Sequence, residues 1–288
     1  MAGVSHSINT ICICGAGTMG AGIAQVSAQS GFHTVLYDLN EEALAKAAAG
    51  IEENLGMLVE KNRITSDEKE RIRKNIHFTR EIGYCIAELV IEAVVEKPEA
   101  KIALFNQLAE INHSETIFAS NTSSLSVTAI ACRVVHPSRV VGMHFFNSAP
   151  VMKLVEIVRT PQTLDAVITQ VMELARQMGK TPVLCEDSPG FIVNRVARHY
   201  YLEALRIAEE KIADFETIDS IMESAGFRMG PFRLMDLLGP AVHLDVPQSL
   251  YEACGRPVRF RPSPIQEEKV AKKELGRKSG KGYYDYSA

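Results

Sequence analysis

The sequence predicts an α/β protein: a Rossmann-like doubly wound sheet with a helical-hairpin insertion, followed by an all-helical C-terminal domain. Three observations carry this expectation. Short β-branched runs alternate with helical patterns from residue 8 to about residue 187, as a parallel sheet with crossover helices requires. A glycine-rich turn joins the first strand to the first helix. After Pro189 the pattern turns helical, with no strand signal until the terminal "GYYDY". The expected domains are therefore 1–187 and 188–288.

In order, "INTICICG" (8–15) reads as a strand, 18–31 as a helix stopped by Gly31, and "HTVLYD" (33–38) as a second strand. A helix from Glu41 to about Lys61 and another from about Ser66 form the insertion, Thr65 and Glu68 offering a capping box for the second. "LVIEAVVE" (89–96) and "TIFAS" (116–120) are buried strands. "RVVGMHF", "MKLVEIV" and "TPVLCED" (181–187) complete the strand series. Helices are expected over 190–212, 215–225, about 231–253 and 263–275, with one loop rich in arginine and proline at 255–264.

Composition narrows the class. The 288 residues are 46% apolar and 23% charged, with a formal net charge of -4, so no basic surplus points to nucleic acid or an anionic membrane surface. No apolar run approaches the roughly 18–20 residues of a membrane span. The start "MAGVSHSINTICICG" lacks the features of a signal or transit peptide. Six scattered cysteines, mostly in apolar runs, read as buried free thiols. Cys12 and Cys14, one residue apart with no second Cys/His pair, do not make a zinc site, and no metal is expected. Together these features suggest a cytoplasmic protein.

The turn Gly15-Ala-Gly17-Thr-Met-Gly20 stands where the first βα connection of a dinucleotide-binding fold belongs. Gly15 permits the tight turn, Gly17 lets a pyrophosphate approach the backbone, and Gly20 lets the helix pack on the strand. Free N–H groups at the helix N-terminus suit phosphate oxygens. Asp38, eighteen residues after Gly20, ends the second strand, where its carboxylate would take ribose hydroxyls and repel a 2′-phosphate. NAD is expected rather than NADP.

Of eight histidines, His144 stands apart because Glu156 follows it inside an apolar run. If the two strands fold back around Pro150, residues 144 and 156 lie opposite each other and point to one face. Met152, Leu154 and Val158 share that face, so the carboxylate would be buried and would need a partner. An imidazole N–H supplies one, as in a Ser–His–Asp triad. From pattern alone, two readings stay open: a hydrogen bond that ties two strands, or a base with its orienting carboxylate. In "SNTSSL", Asn121 or Thr122 can cap the following helix while Ser123 faces a ligand at the carboxyl end of a strand.

Five stretches together, the GAGTMG turn, "VVEKPEAK" (94–101), "ASNTSSL" (119–125), "HFFNSAPVMKLVE" (144–156) and "DSPGFIVNR" (187–195), resemble the L-3-hydroxyacyl-CoA dehydrogenase family, and most of all its bacterial 3-hydroxybutyryl-CoA dehydrogenase branch. The likeness continues through "MGPFRLMDLLG" (229–239) and "GRKSGKGYYDY" (276–286). It implies an NAD-dependent, reversible oxidation of a short L-3-hydroxyacyl-CoA, with the helical domain forming a homodimer. By resemblance, His144 is the general base, Glu156 its partner, and Ser123 and Asn194 hold the substrate oxygen. Glu96, Lys101, Asn147 and Lys278 meet the nicotinamide half of the cofactor, with Thr18, Met19, Ala93, Asn121 and Ser123 also in contact with NAD. Lys61, Asn54 and Ser123 meet the acyl-CoA. Two positions depart from the family's habit: Asn54 where serine is common, and Ser148 where proline is usual. By position alone Lys101 is a surface lysine, and a proline-free turn at 148 would be the looser one. The alternatives are a hydroxyacid dehydrogenase of the L-gulonate dehydrogenase or lambda-crystallin type, which carries a proline after the histidine instead of "FF", and a non-catalytic NAD-binding protein.

Overall fold

A computed structural model describes residues 7–239, 248 and 250–287. The chain divides into two compact units, Met1–Asp187 and Ser188–Ala288.

The first unit is an eight-stranded sheet in the order β3-β2-β1-β4-β5-β6-β7-β8. Its strands are β1 (Thr10–Cys14), β2 (His33–Tyr37), β3 (Ile76–Thr79), β4 (Leu89–Glu92), β5 (Ile117–Ser120), β6 (Val140–Phe145), β7 (Leu154–Arg159) and β8 (Thr181–Glu186). Every neighbouring pair is parallel except β6 with β7. The interior strands read as continuous apolar runs because helices cover both faces. Ile11, Ile13, Leu36, Leu89 and Ile91 are fully buried in one core with Ile23, Leu55 and Val171. Pro182 falls on β8, an edge strand, where a missing N–H costs no ladder bond.

The crossover helices are α1 (Thr18–Gln29), α4 (Pro98–Ile111), the short α5 (Val127–Ala131) and α6 (Asp165–Gln177). The insertion is the pair α2 (Glu41–Glu60) and α3 (Ser66–Lys74). Asn40 caps α2, and Thr65 with Glu68 forms the expected capping box on α3. Two elements go beyond the sequence reading. Strand β3 is only four residues long with two of them buried, too short to show a period. Helix α6 buries Val167, Ile168, Val171, Leu174 and Ala175, a 3.6-residue stripe that the strand-by-strand reading passes over.

The second unit contains α7 (Val193–Glu209), α8 (Phe215–Ser224), α9 (Pro231–Leu238) and α10 (Pro264–Ala271). The helix expected over about 231–253 runs over Pro231–Leu238 and ends before Gly239 with φ 98°; residues 240–247 and 249 of the expected span lie outside the described residues, and 250–253 are helical. The strand expected at "GYYDY" is replaced by isolated bridges from Lys281 to Gly276 and Asp285. Buried Asp236 explains this: its carboxylate accepts the N–H groups of Tyr283 (2.9 Å) and Tyr284 (3.0 Å) and the Tyr286 hydroxyl (3.1 Å). These backbone donors serve a side chain and are lost to any strand ladder. Phe232, Tyr201, Leu205, Met235 and Tyr283 form this unit's core.

The cysteine expectation holds in part. Cys12, Cys14 and Cys85 are buried and free, whereas Cys132 is exposed and Cys185 and Cys254 are half-buried. Among the described residues no helix is long and apolar enough to cross a membrane, and no group of three or more His, Cys, Asp or Glu side chains is placed to hold a metal.

Candidate active site

The site is built on the edge of the sheet where the parallel strands β1, β4, β5 and β6 end, the edge at which open α/β sheets bind ligands. The turn after β1 has the geometry a dinucleotide needs. Gly15 has φ 105°, and a Cβ there would lie 2.5 Å from the carbonyl oxygen of Ala93, the residue after β4. A Cβ on Gly20 would lie 1.7 Å from the Gly15 carbonyl oxygen, so only glycine lets α1 begin so close to the strand. Gly17 is different: a Cβ there meets nothing within 4 Å. The chain therefore keeps a bare backbone facing open space at the N-terminus of α1. No side chain caps that helix, so the N–H groups beyond Gly17, from Thr18, Met19 and Gly20, meet the space directly. These residues fit a pyrophosphate.

Asp38 does two things at once. Its Oδ2 accepts the Ala16 N–H at 2.7 Å, and its Oδ1 accepts the Asn40 N–H at 2.9 Å. The acid at the end of β2 thus ties the glycine turn to the second strand.

His144 and Glu156 are direct partners in the β6–β7 ladder. His144 Nδ1 and Glu156 Oε2 are 2.8 Å apart, and both side chains are almost fully buried, 6% and 1% exposed. The register deduced around Pro150 is the observed one. The imidazole also meets the Phe146 ring at 4.5 Å between centroids. The connecting turn is braced without a proline at 148. The Ser148 carbonyl accepts the N–H groups of Val151 and Met152, both at 3.0 Å. Buried Lys180 donates its ammonium to the carbonyls of Ala149 and, at 2.9 Å, Met152. That lysine clamp replaces the expected looseness. No local sequence pattern marks it, because Lys180 lies 28 residues from Met152. Asn147 is exposed and joined to Ser148 by a cis peptide bond.

The serine-rich loop after β5 departs from expectation. Ser126, rather than Asn121 or Thr122, caps α5 by accepting the Ala129 N–H at 3.1 Å. Asp187 adds to the cap, taking the Ser126 hydroxyl and the Thr128 N–H, each at 2.7 Å. Asn121 instead accepts the Phe145 N–H at 2.9 Å, tying the loop to the end of β6, one residue past His144. Thr122 donates to Glu96 and accepts the Leu125 N–H at 2.9 Å. Ser123 is half-buried, and its backbone N–H donates to Glu96 at 3.2 Å.

Behind this loop lies a group that sequence reading misplaces. Lys101 is not a surface lysine; it is 1% exposed. Its Nζ lies 2.8 and 2.7 Å from the two oxygens of Glu92 and 3.0 Å from Glu96. Glu92 is fully buried, accepts the Ser120 hydroxyl, and has its carboxyl pushed up by burial against the pull of Lys101. Burial also works to raise Glu96, but the Thr122 hydroxyl, the Lys101 charge and Ser124 outweigh it and hold that carboxyl below its usual range. A glutamate closing an apolar strand, nine residues before a lysine, is the one sequence signal for this pair.

A cavity of about 770 Å³ lies between α1 and α2, bounded by Ala16, Gly17, Asn54, Lys61, Ser148 and Pro150. Asn54 donates to Gln25 at 3.3 Å across it. Asn194, at the start of α7, accepts a hydrogen bond from Arg198 at 3.3 Å, and Lys278 lies in the turn Arg277–Ser279.

Comparison with known proteins places this arrangement. Residues 10–188 match the 3-hydroxyacyl-CoA dehydrogenase NAD-binding domain, and residues 190–286 match the C-terminal domain of the same family. The chain is 47% identical to a 3-hydroxyadipyl-CoA dehydrogenase of Escherichia coli over 98% of its own length, spanning 60% of that relative. It is 42% identical to a probable 3-hydroxybutyryl-CoA dehydrogenase of Deinococcus radiodurans, covering 95% of this chain and 99% of that one. The crystal structure of an (S)-3-hydroxybutyryl-CoA dehydrogenase from Ralstonia eutropha superposes with a TM-score of 0.94 at 37% identity, covering 98% of this chain and all of that one. Matched in both halves and along nearly its whole length, the chain belongs to the 3-hydroxyacyl-CoA dehydrogenase family, its first half being the family's NAD-binding domain.

Proposed function

We propose that this chain catalyses the reversible, NAD-dependent oxidation of a short L-3-hydroxyacyl-CoA to the 3-ketoacyl-CoA, with 3-hydroxybutyryl-CoA and acetoacetyl-CoA as the working pair. The observation that carries the reading is the buried His144–Glu156 pair, on the sheet edge that also bears the glycine turn. Glu156 holds Nδ1, so the proton of the 3-hydroxyl goes to Nε2. Bound NAD would accept the hydride that leaves C3 in the same direction of reaction. The carboxylate keeps the imidazole in the tautomer that can accept and steadies the imidazolium once it forms. In the reverse direction the same Nε2 returns the proton to the ketone oxygen.

Ser123 and Asn194 are assigned to hold the substrate oxygen. Gly15, Gly17, Thr18, Met19, Gly20, Asp38, Ala93, Glu96, Lys101, Asn121, Ser123, Asn147 and Lys278 are assigned to the cofactor. Residues 1–187 are read as the cofactor domain and 188–288 as the helical substrate and dimerisation domain. The cavity between α1 and α2, with Asn54 and Lys61 on its wall, suits part of the CoA moiety. The cysteines of the described residues are all free, which supports a cytoplasmic setting.

Steady-state assays test this reading. Acetoacetyl-CoA reduction and 3-hydroxybutyryl-CoA oxidation are expected to proceed with NAD(H), and L-gulonate oxidation is not. Turnover of gulonate alone would overturn the assignment. The name of the Escherichia coli relative puts 3-hydroxyadipyl-CoA on the same panel, and the ratio of kcat/KM values sets the acyl preference.

A further inference from the structure

Residues 146–153 link β6 to β7. Two N–H groups of this turn, from Val151 and Met152, are spent on the Ser148 carbonyl. Among the described residues no backbone N–H reaches the carbonyls of Ala149 and Met152, so each needs a donor from elsewhere. Lys180 supplies both: its ammonium donates to Ala149 and, at 2.9 Å, to Met152. The lysine stands on rigid ground. It lies between Gly179 (φ 68°), just past α6, and Thr181, which opens β8. Its own N–H donates to the Ala175 carbonyl at 2.9 Å, and the Thr181 N–H to that of Lys153 at 2.8 Å. Burial lowers its ammonium from the usual lysine range, and the charge-assisted bonds to two carbonyls oppose that cost. The turn also rests on α1, where a Cβ on Gly22 would lie 3.1 Å from the Pro150 ring and 3.3 Å from the Ala149 side chain. Ser148, Pro150 and Val151, the residues so gripped, line the cavity between α1 and α2.

We infer that Lys180 is a positioning residue for substrate binding: it fixes the β6–β7 turn as a preformed wall of the α1–α2 cavity, against which the CoA part of the thioester is received. The inference rests on the functional reading that puts part of the CoA moiety in that cavity. The physical reason is entropic. A turn whose carbonyls were left to water would sample several conformations and be ordered only when the ligand arrived, and that ordering would be subtracted from the binding free energy. Lys180 orders it beforehand, from a helix end and a strand that do not move with the ligand. The His144–Glu156 pair does not depend on this clamp, because the ladder of Gly142–Phe145 with Val155–Val158 already holds both residues in register. Lys180 therefore bears on affinity for the CoA moiety and not on proton transfer.

The test uses the full chain and the variant Lys180→Met, which keeps the apolar stem and removes the donors. It reads kcat and KM at saturating NADH for two substrates, acetoacetyl-CoA and acetoacetyl-N-acetylcysteamine, a thioester with the same acyl group and no nucleotide. It also reads amide exchange of Val151 and Met152 in the protein without ligands. In Lys180→Met, KM for acetoacetyl-CoA is expected to rise about tenfold with kcat within about threefold, the pattern of lost uniform binding. For the truncated thioester, kcat/KM is expected to stay within about threefold of wild type. Exchange at Val151 and Met152 is expected to quicken. A folded Lys180→Met protein with the wild-type KM would overturn the inference, and so would an equal loss with both thioesters. A fall in kcat at unchanged KM would also overturn it, since the lysine would then act on His144. If Lys180→Met fails to fold, Lys180→Gln, whose amide donor sits roughly one bond short of the ammonium, is judged by the same outcomes. If the wild-type protein uses the two thioesters equally well, the CoA reading of the cavity fails, while exchange at Val151 and Met152 still decides whether Lys180 holds the turn.

Discussion

At the scale of single residues, the proposed reaction rests on His144 as its base. Replacing it with Gln keeps a hydrogen-bonding group of similar size but removes the base, so kcat is expected to fall by about 10²–10⁴ while NAD affinity stays within about twofold. Full activity in that variant, read by NADH absorbance, would remove His144 from the chemistry. Glu96 supplies a pH signature. Its carboxyl is held below the usual range in the folded protein, so its contribution to stability is present above its unfolded pKa of about 4.3 and is lost as pH falls through the lower folded value. The stability difference between wild type and Glu96→Gln, from urea titrations, is therefore expected to be constant from neutral pH to about 5 and to shrink in more acid solution. A difference that grows on acidification would contradict the direction of the shift. His144 and Glu156 were legible in the sequence because strand alternation is a strict period of two, and one turn residue fixes the register. Glu92 and the burial of Lys101 were not legible. A lysine in the first turn of a helix reads as solvated unless the carboxylates that enclose it are known, and these come from the end of β4 and the loop that leads into α4.

At the scale of elements, the turn from β1 to α1 separates two glycine roles that look alike in sequence. Gly20→Ala drives a methyl into the Gly15 carbonyl, whereas Gly17→Ala meets no protein atom within 4 Å. Gly20→Ala is thus expected to lower Tm clearly and to weaken NAD binding with it. Gly17→Ala is expected to keep the wild-type Tm without ligand and still lose about tenfold in NAD affinity, roughly 1.4 kcal/mol, because the methyl takes the space of the pyrophosphate. Calorimetry with and without NAD distinguishes the two, and an unimpaired affinity in Gly17→Ala would show that the phosphates do not lie on that backbone. Long amphipathic or continuously apolar elements were readable, and so was the capping box at Thr65. Strand β3 was not, since two buried residues in four carry no pattern. The terminal "GYYDY" misled for a tertiary reason: Asp236 takes the N–H groups that a strand would have spent on a ladder.

At the scale of the whole molecule, ligand linkage reports the cofactor. NAD at a hundredfold excess over its Kd is expected to stabilise the protein by about 2.7 kcal/mol, and NADP at the same concentration by much less, because its 2′-phosphate would face Asp38. Equal thermal shifts with the two cofactors would refute the role of that carboxylate. The two compact units match the two domains of the family, so the fold class was set by the change of texture at Pro189.

By itself, the sequence determined the α/β sheet followed by helices, the dinucleotide turn, and the opposition of His144 and Glu156. Each depends on local spacing: glycines at a turn, apolar residues at a period of two or 3.6, a histidine and a glutamate equidistant from Pro150. Only the tertiary structure decided that Lys101 is enclosed by Glu92 and Glu96, that Lys180 clamps the turn between His144 and Glu156, that Asp187 adds to the cap of α5, and that Asp236 gathers the C-terminal tyrosines. All four are charged side chains serving groups between 5 and 61 residues away. A buried charge persists only where several chain segments supply its partners at once, and no local period in the sequence records that convergence.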